Sequence, residues 1–280
     1  IAQKTRCLSV CGANLICNLR KDFDSVGLLQ TILCVVDGGY TNKNFIQRMP
    51  ETVDMIGRVR KDIRICLPAE ENNKRKIYGA TLPTPETIRS DDIWPIQNCE
   101  CFYGKRMRNI SFKEINNILW QNSAGKRRMR LIIVMPTPYK QPGHKKLRYN
   151  EPAYLITTDL YTPAEELIQA YFDRWEIEVL HRDLKTHVGL GQVQLWSENS
   201  VVRIHSALVA AYSMLKLASI KAFGSSRTVD YHELPRWRVK KDMNFPRKPS
   251  AHDILTKLRA DLAENQGEGP LKPSEIHAAA

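Results

Sequence analysis

The segment from Thr162 to Gly191 limits the fold more than any other part of this sequence. Thr162-Pro163-Ala164-Glu165 reads as a capping box with proline at the first helical position. Gly189 and Gly191 are stop signals, and Ile177, Leu180, Leu184 and Val188 recur at helical spacing between them. The expectation is one long amphipathic helix packed directly after a short strand, Ala153 to Asp159, rich in β-branched and aromatic residues. On that helix Tyr171, Arg174, Glu178 and Lys185 fall within an arc of about 60° at about 100° per residue. Charges at such spacings are ordinarily a solvated face with salt bridges of a few tenths of a kcal/mol. Here the arc borders the apolar face instead of opposing it, and charges at a core edge are costly without partners. A hydroxyl, two cations and a carboxylate together suit a phosphodiester: the cations bind phosphate and the carboxylate holds a metal.

The charge balance agrees. Lys and Arg number 42 against 30 Asp and Glu, a formal net charge of +12, which favours a polyanionic partner. From Ala124 to Asn150 stand Lys126, Arg127, Arg128, Arg130, Lys140, Lys145, Lys146 and Arg148 with no acid among them. A stripe without counter-charge reads as a phosphate track. Seven cysteines and no secretory leader suggest a reducing interior. The pairs Cys7/Cys11 and Cys99/Cys101 lack the spacing of a structural zinc site. The apolar run at 206–218 is too short for a membrane span, so the expectation is a soluble, cytoplasmic protein without membrane association.

Along the chain, residues 1–61 suggest part of an α/β core and 62–150 a β-rich, proline-dotted insertion. Residues 151–224 complete the core, and 225–280 form a basic C-terminal region with a disordered tail. Cys11 to Cys17 reads as a strand or buried turn, and Asn42 to Met49 as a short helix. Thr31 to Asp37 reads as a fully buried strand and Asp54 to Arg60 as another. Further strands are expected at Cys99–Tyr103, Met107–Phe112 and Arg130–Met135. An apolar helix over Val201–Phe223 is expected to pack on the sheet, with one more helix near His252–Ala263. Trp94 and Trp120 in the insertion read as core residues rather than platforms for a flipped base.

Metal-assisted phosphodiester chemistry needs carboxylates from several elements. Asp37 is the best second candidate, since it ends an apolar strand and precedes Gly38-Gly39, where the chain can turn sharply.

These residues carry a family resemblance. Tyr171-x2-Arg174-x3-Glu178-x6-Lys185 resembles the Y-R-E-K motif of DDE transposases of the insertion-sequence-four type, and Val35-Val-Asp37-Gly-Gly-Tyr40 resembles their second catalytic strand. The stretch between Asp37 and Glu178 is similar to the insertion that interrupts their ribonuclease-H-like cores. The resemblance covers roughly residues 25–220. It implies an α/β fold, a ribonuclease-H-like mixed sheet flanked by helices and interrupted by a β-rich insertion. It implies that Asp37 and Glu178 are catalytic ligands for Mg2+ or Mn2+, and that Tyr171, Arg174 and Lys185 contact the DNA backbone. Arg182 and the basic residues Lys126, Arg127, Arg128 and Arg130 are further candidate DNA contacts. The implied partners are double-stranded DNA, both terminal inverted repeats and target, and a second copy of the chain on that DNA. The implied reaction is water-driven cleavage at the element's end, then attack of the freed 3′-hydroxyl on target DNA in a prokaryotic nucleoid.

One departure shapes the expectation of activity. The family's first Asp ends a strand upstream of the second, and only Asp22 and Asp24 precede Asp37. With Ile1 as the first residue, an N-terminally incomplete domain that binds DNA better than it cuts is expected. The alternative is a non-catalytic DNA-binding remnant or adopted regulator. A tyrosine recombinase using Tyr171, with Arg174 and His181 nearby, leaves the Glu178 and Lys185 arc unexplained.

Overall fold

The computed structural model describes residues 7–70, 76–103, 106–140, 146–192 and 194–223, with 254–255, 258–260 and 263. Helix α1 (Leu8–Ser25) leads into β1 (Ile32–Val36), α2 (Lys43–Ile46) and β2 (Val53–Arg58). Next come β3 (Cys66–Pro68), β4 (Tyr78–Thr81), α3 (Pro85–Ser90), β5 (Gln97–Tyr103) and β6 (Arg106–Leu119). They are followed by α4 (Gln121–Ala124), β7 (Arg128–Val134), β8 (Pro138–Lys140), β9 (Leu147–Tyr149) and β10 (Ala153–Thr157). The last elements are α5 (Ala164–Asp173), α6 (Glu176–His187) and α7 (Glu198–Phe223). The chain divides into two units, Ile1–Trp175 and Glu176–Ala280, a boundary that falls inside the long helix expected from the sequence.

In the first unit one sheet runs β1-β2-β10-β7-β6-β3-β4, with β5 also paired to β6. The β1–β2 pair is parallel and the others are antiparallel. This mostly antiparallel mixed sheet flanked by helices is consistent with the ribonuclease-H-like class. The β-rich character of 62–150 is present, and β3 to β7 extend the same sheet that holds β1, β2 and β10, while β8 and β9 form a separate hairpin.

Side chains alternate across this sheet, so it has two cores. On one face Val36, Met55, Leu131, Ile133 and Ile156 pack with Ala13 of α1 and Phe45 and Ile46 of α2. On the other, Ile56, Ile132 and Leu155 pack with Leu167 and Ile168 of α5, and Leu33 and Val35 join them. Both tryptophans of the insertion belong to the first core: Trp120 is buried and Trp94 packs against it.

Three local expectations change in the first unit. Cys11 to Cys17 is helical, because Ser9, Ala13, Ile16 and Arg20 form a buried stripe at helical spacing. Arg20 then anchors the helix end, donating to the carbonyls of Gln30, at 2.6 Å, and Leu28. Strand β1 is half-buried except at Val36, since among the described residues it is the sheet's outer strand. Strand β6 runs well beyond Met107–Phe112, carried past an irregularity between Ile115 and Ile118. Asn117 takes a left-handed φ of 58° there, and the extra residue keeps Ile115 and Ile118 on one face.

The expected long helix is two. Its start is not a capping box: Pro163 is the cap residue, and the Asp159 carboxylate accepts the N–H groups of Tyr161 and Thr162 instead. After Asp173 the backbone tightens to i→i−3 bonds at Arg174 and Trp175 before α6 begins. In the second unit, α6 and α7 meet through Leu184 and Tyr212, with Leu180 and Val188 beside them. One helix among the described residues, Glu198–Ala218, is long and apolar enough to cross a membrane, with a mean hydropathy of 1.3. That corrects the expectation that no such segment exists. The helix expected near His252–Ala263 is helical at its described positions, and the tail beyond Asn265 lies outside the described residues.

Candidate functional site

Because β1 and β2 are parallel, their carboxyl ends share one edge of the sheet. Val36 lies opposite Gly57 in the ladder, so the next residues, Asp37 and Arg58, are neighbours. Asp37 opens a tight turn: its carboxylate accepts the Gly38 N–H at 2.8 Å, and its carbonyl accepts the Tyr40 N–H at 2.9 Å. The side chain is exposed and forms no ion pair among the described residues. Gly57 makes this turn possible. A Cβ there would lie 2.3 Å from the Thr41 hydroxyl and 2.7 Å from a Val36 methyl, so only glycine lets the turn fold against β2.

Helix α5 brings two more groups to the same edge. Its preceding strand, β10, runs antiparallel to β2, so α5 returns across the sheet and ends toward Asp37. Burial pushes the Tyr171 hydroxyl pKa up; the charges of Arg174 and Arg58 pull it down, and Asp37 pushes it up. The charges of Arg174, Arg58 and Asp37 are thus all within electrostatic reach of the Tyr171 hydroxyl. The Arg174 guanidinium carbon is 5.8 Å from the Tyr171 ring centroid, within cation–π range. Its Nε is shielded from solvent and has no acceptor among the described residues. Such an orphan donor is uncommon in a folded interior.

Arg58 is a site residue the sequence reading missed. It reaches Pro152 O at 3.4 Å and lies 3.9 Å from Glu151, and its side chain is 45 % exposed. The signal was a cation closing the second of two parallel strands, visible only once Val53–Arg58 is paired with Ile32–Val36.

Glu178, Arg182 and Lys185 belong to α6, in the second unit. All three are exposed on that helix, at i, i+4 and i+7. Ile177 is exposed too, so the apolar face is narrower than expected. Its buried polar residue is Asp183, which accepts the Tyr212 hydroxyl at 3.0 Å; burial pushes the Tyr212 pKa up, with Asp183 adding to it.

The basic stripe is not one surface. Strand β7 is antiparallel to β10, and β10 to β2, so β7 runs parallel to β2. Lys126, Arg127 and Arg128 precede or open β7 and therefore stand at the sheet end opposite Asp37. Arg130 is a correction to the expected DNA contacts. It is buried on the α5 face, where its Nε bonds Glu114 at 2.9 Å and its Nη1 bonds Thr162 O at 2.6 Å. A guanidinium so enclosed fixes the loop entering α5. Arg127 is also engaged, with its Nη2 2.8 Å from Val53 O and 3.7 Å from Asp54.

The described residues contain no group of three or more His, Cys, Asp or Glu able to hold a metal. Asp22 and Asp24 lie on α1, and Asp24 pairs with Arg20 at 2.9 Å. Cys99 and Cys101 are buried on one face of β5 with sulfurs 3.7 Å apart, and burial pushes the Cys101 thiol up to about 12. A thiol held neutral is a poor metal ligand.

No curated protein matches this chain. The family described as transposase DDE domain matches residues 13–214. This stretch includes the Asp37 edge, both helices that carry the Tyr171-to-Lys185 residues, and most of α7. The chain belongs to the transposase DDE domain family.

Proposed function

We propose that this chain is the DNA-handling part of an insertion-sequence-four-type transposase, acting on the terminal repeats of a mobile element in a prokaryotic nucleoid. The observation that carries the reading is the gathering of Asp37, Arg58, Tyr171 and Arg174 at one sheet edge. Arg58 and Arg174 bind the phosphates flanking the scissile bond, and Tyr171 donates to one of them. The Tyr171 ring packs against the Arg174 guanidinium and holds it at this edge. Lys185 and Arg182 supply further backbone contacts from α6.

DDE transposases use divalent metal ions. Each of the two carboxylates has the chemistry a hard ion, Mg2+ or Mn2+, takes: Asp37 is exposed at the end of β1, and Glu178 is exposed on α6 of the other unit. When bound, such an ion polarises the phosphate and activates the attacking water or 3′-hydroxyl. The protein's own residues orient the strand and offset its charge.

Only Asp22 and Asp24 precede Asp37, and both are helical, so neither supplies a third carboxylate at a strand end. The 280-residue chain is accordingly proposed to bind an element's end without cutting it. The test is gel-shift and cleavage with terminal-repeat DNA in Mg2+ or Mn2+. Binding weakened by Arg174→Ala with no cleavage supports the reading. Robust cleavage abolished by Asp37→Ala overturns the non-cutting part, and failure to bind DNA overturns the whole.

A further inference from the structure

Helix α1 and strand β1 lie side by side and antiparallel. The Ser9 hydroxyl reaches the Gly39 carbonyl, past the carboxyl end of β1, at 3.4 Å, and Arg20 reaches the Gln30 carbonyl, before its amino end, at 2.6 Å. The buried stripe of α1, from Ser9 to Arg20, faces the sheet. On one side of that stripe Cys17 donates to the Arg48 carbonyl, just after α2, at 3.3 Å. Helix α2 lies inward from there, since Gln47 stands beside Gly125, between α4 and β7. Leu8, Leu15 and Leu19 fall about 100° round the helix on the other side of the stripe. They therefore face outward, along the free flank of β1.

These leucines are part of a larger apolar surface. Leu8 is 74 % exposed and Leu15 69 %, and the link to β1 adds Val26, Leu28 and Leu29, the last 85 % exposed. Together they offer on the order of 600 Å² of apolar surface, at the top of what a monomer ordinarily leaves to solvent. No charged residue stands between Val26 and Val36. The exposed Lys21 and Asp24 lie on the α2 side of the helix, and Asp22 borders the leucines. Strand β1 keeps an unbroken register with β2 and, among the described residues, has no strand on its outer flank. It carries none of the lysine, proline or bulge that ordinarily guards an open edge.

We propose that this flank is the seam of a two-fold dimer, its occupant a second copy of the chain. A two-fold axis normal to the sheet pairs β1 antiparallel with its own copy, and the register that uses all five residues centres on Cys34. The same rotation keeps both α1 helices on one face of the joined sheet, so they meet leucine flank to leucine flank. One symmetry operation satisfies the backbone edge and covers the apolar surface together. Nucleic acid does neither, because this flank offers no cation to a phosphate. Two such surfaces bury about 1,200 Å² before the strand backbones are counted, the lower bound of a specific interface. The dimer forms without DNA, and the inference stands apart from the reading of the Asp37 edge.

Sedimentation velocity on the nuclease-treated 280-residue chain, in high salt and across protein concentration, measures the assembly. The expected species has twice the mass of one chain. Leu8→Glu with Leu15→Glu puts carboxylates into the seam and is expected to weaken association at least about 100-fold. Both side chains face solvent in the single chain, so circular dichroism and Tm of the monomer should not change. Met214→Glu with Leu217→Glu, at similarly exposed positions of α7, is expected to leave the dimer intact. Hydrogen exchange at the β1 amides is expected to slow as the parent chain is concentrated, and not in the Leu8/Leu15 variant. A parent chain that stays monomeric at the highest concentration overturns the seam. So does a dimer that survives the Leu8/Leu15 variant and is lost in the Met214/Leu217 one. A dimer whose β1 amides exchange as fast as those of the monomer overturns the strand pairing.

Discussion

Arg130 and Glu114 face each other from adjacent strands, buried on the side of the sheet covered by α5. Removing one partner of a buried, hydrogen-bonded ion pair leaves the other uncompensated. Arg130→Ala is therefore expected to lower stability by about 3 kcal/mol, measured by urea unfolding, with DNA affinity of the folded fraction unchanged. A variant of full stability that binds DNA poorly would restore Arg130 to the DNA surface.

Arg58 and Arg174 are predicted to act as phosphate contacts beside Asp37. Alanine at either is expected to weaken binding to a terminal-repeat duplex about tenfold, the scale of a charged hydrogen bond. Tyr171→Phe should cost less, about threefold. Asp37→Asn should leave metal-free binding unweakened, because it removes a negative charge near the phosphates. Weakening as large as that of Arg174→Ala would count against this geometry.

Lys113 is fully buried in the sheet, and its ammonium donates to the carbonyls of Ile88, Arg89 and Asp91 at 3.2, 3.0 and 2.8 Å. It thereby closes the carboxyl end of α3. Lys113→Met keeps most of the volume but strands three acceptors, so a loss of at least about 2 kcal/mol is expected. Equal stability in chemical denaturation would show that water replaces the ammonium.

The Tyr154 hydroxyl donates to Glu86, which also pairs with Arg89 at 2.7 Å. The Arg89 and Tyr154 hydrogen bonds hold the Glu86 carboxyl down at about 2, against an ordinary 4.5. On acidification the unfolded chain takes up this proton first. The stabilisation is complete above pH 4.5 and disappears as pH falls toward about 2. Burial and Glu86 push Tyr154 up to about 12 from 10.0, so its contribution is complete below pH 10 and lost on the way to 12. The difference in Tm between the parent and Tyr154→Phe should be flat between these limits and shrink at both ends. A difference that stays constant through acid would rule the pairing out as its source.

Gly57 predicts a packing effect. Gly57→Ala places a methyl against Thr41 and Val36, for an expected loss of about 1–3 kcal/mol. Adding Thr41→Ser, which removes a methyl but not the clashing oxygen, should recover little of it. Full recovery would mean that the turn after Asp37 is looser than its hydrogen bonds suggest.

The parts that could be read from residues alone were those whose signals are local. Asp37 at the end of an apolar run, the short helix that follows Asn42 and the β-branched runs of β7 and β10 all lie where pattern and turn chemistry place them. Helix α1 was misread because a short apolar stretch with two cysteines suits strand and helix alike, and its buried stripe includes a serine and an arginine. Arg58 and Arg130 show a different limit. One is brought to Asp37 by parallel pairing, the other is removed from solvent by a glutamate sixteen positions away. Neither relation leaves a trace in spacing along the chain. The basic stripe misled for the same reason: pairing of β7 sets Lys126, Arg127 and Arg128 at the sheet end opposite Asp37 and turns Arg130 inward.

Strand β1 has a paired flank against β2 and, among the described residues, no strand on its other side. That flank presents a row of backbone donors and acceptors alongside the residues leading to Asp37. A strand settling there, from the same polypeptide or a second copy, would extend the sheet and carry its own terminal side chain to Asp37's doorstep. Main-chain pairing along β1 would therefore set the company Asp37 keeps as much as side-chain packing does.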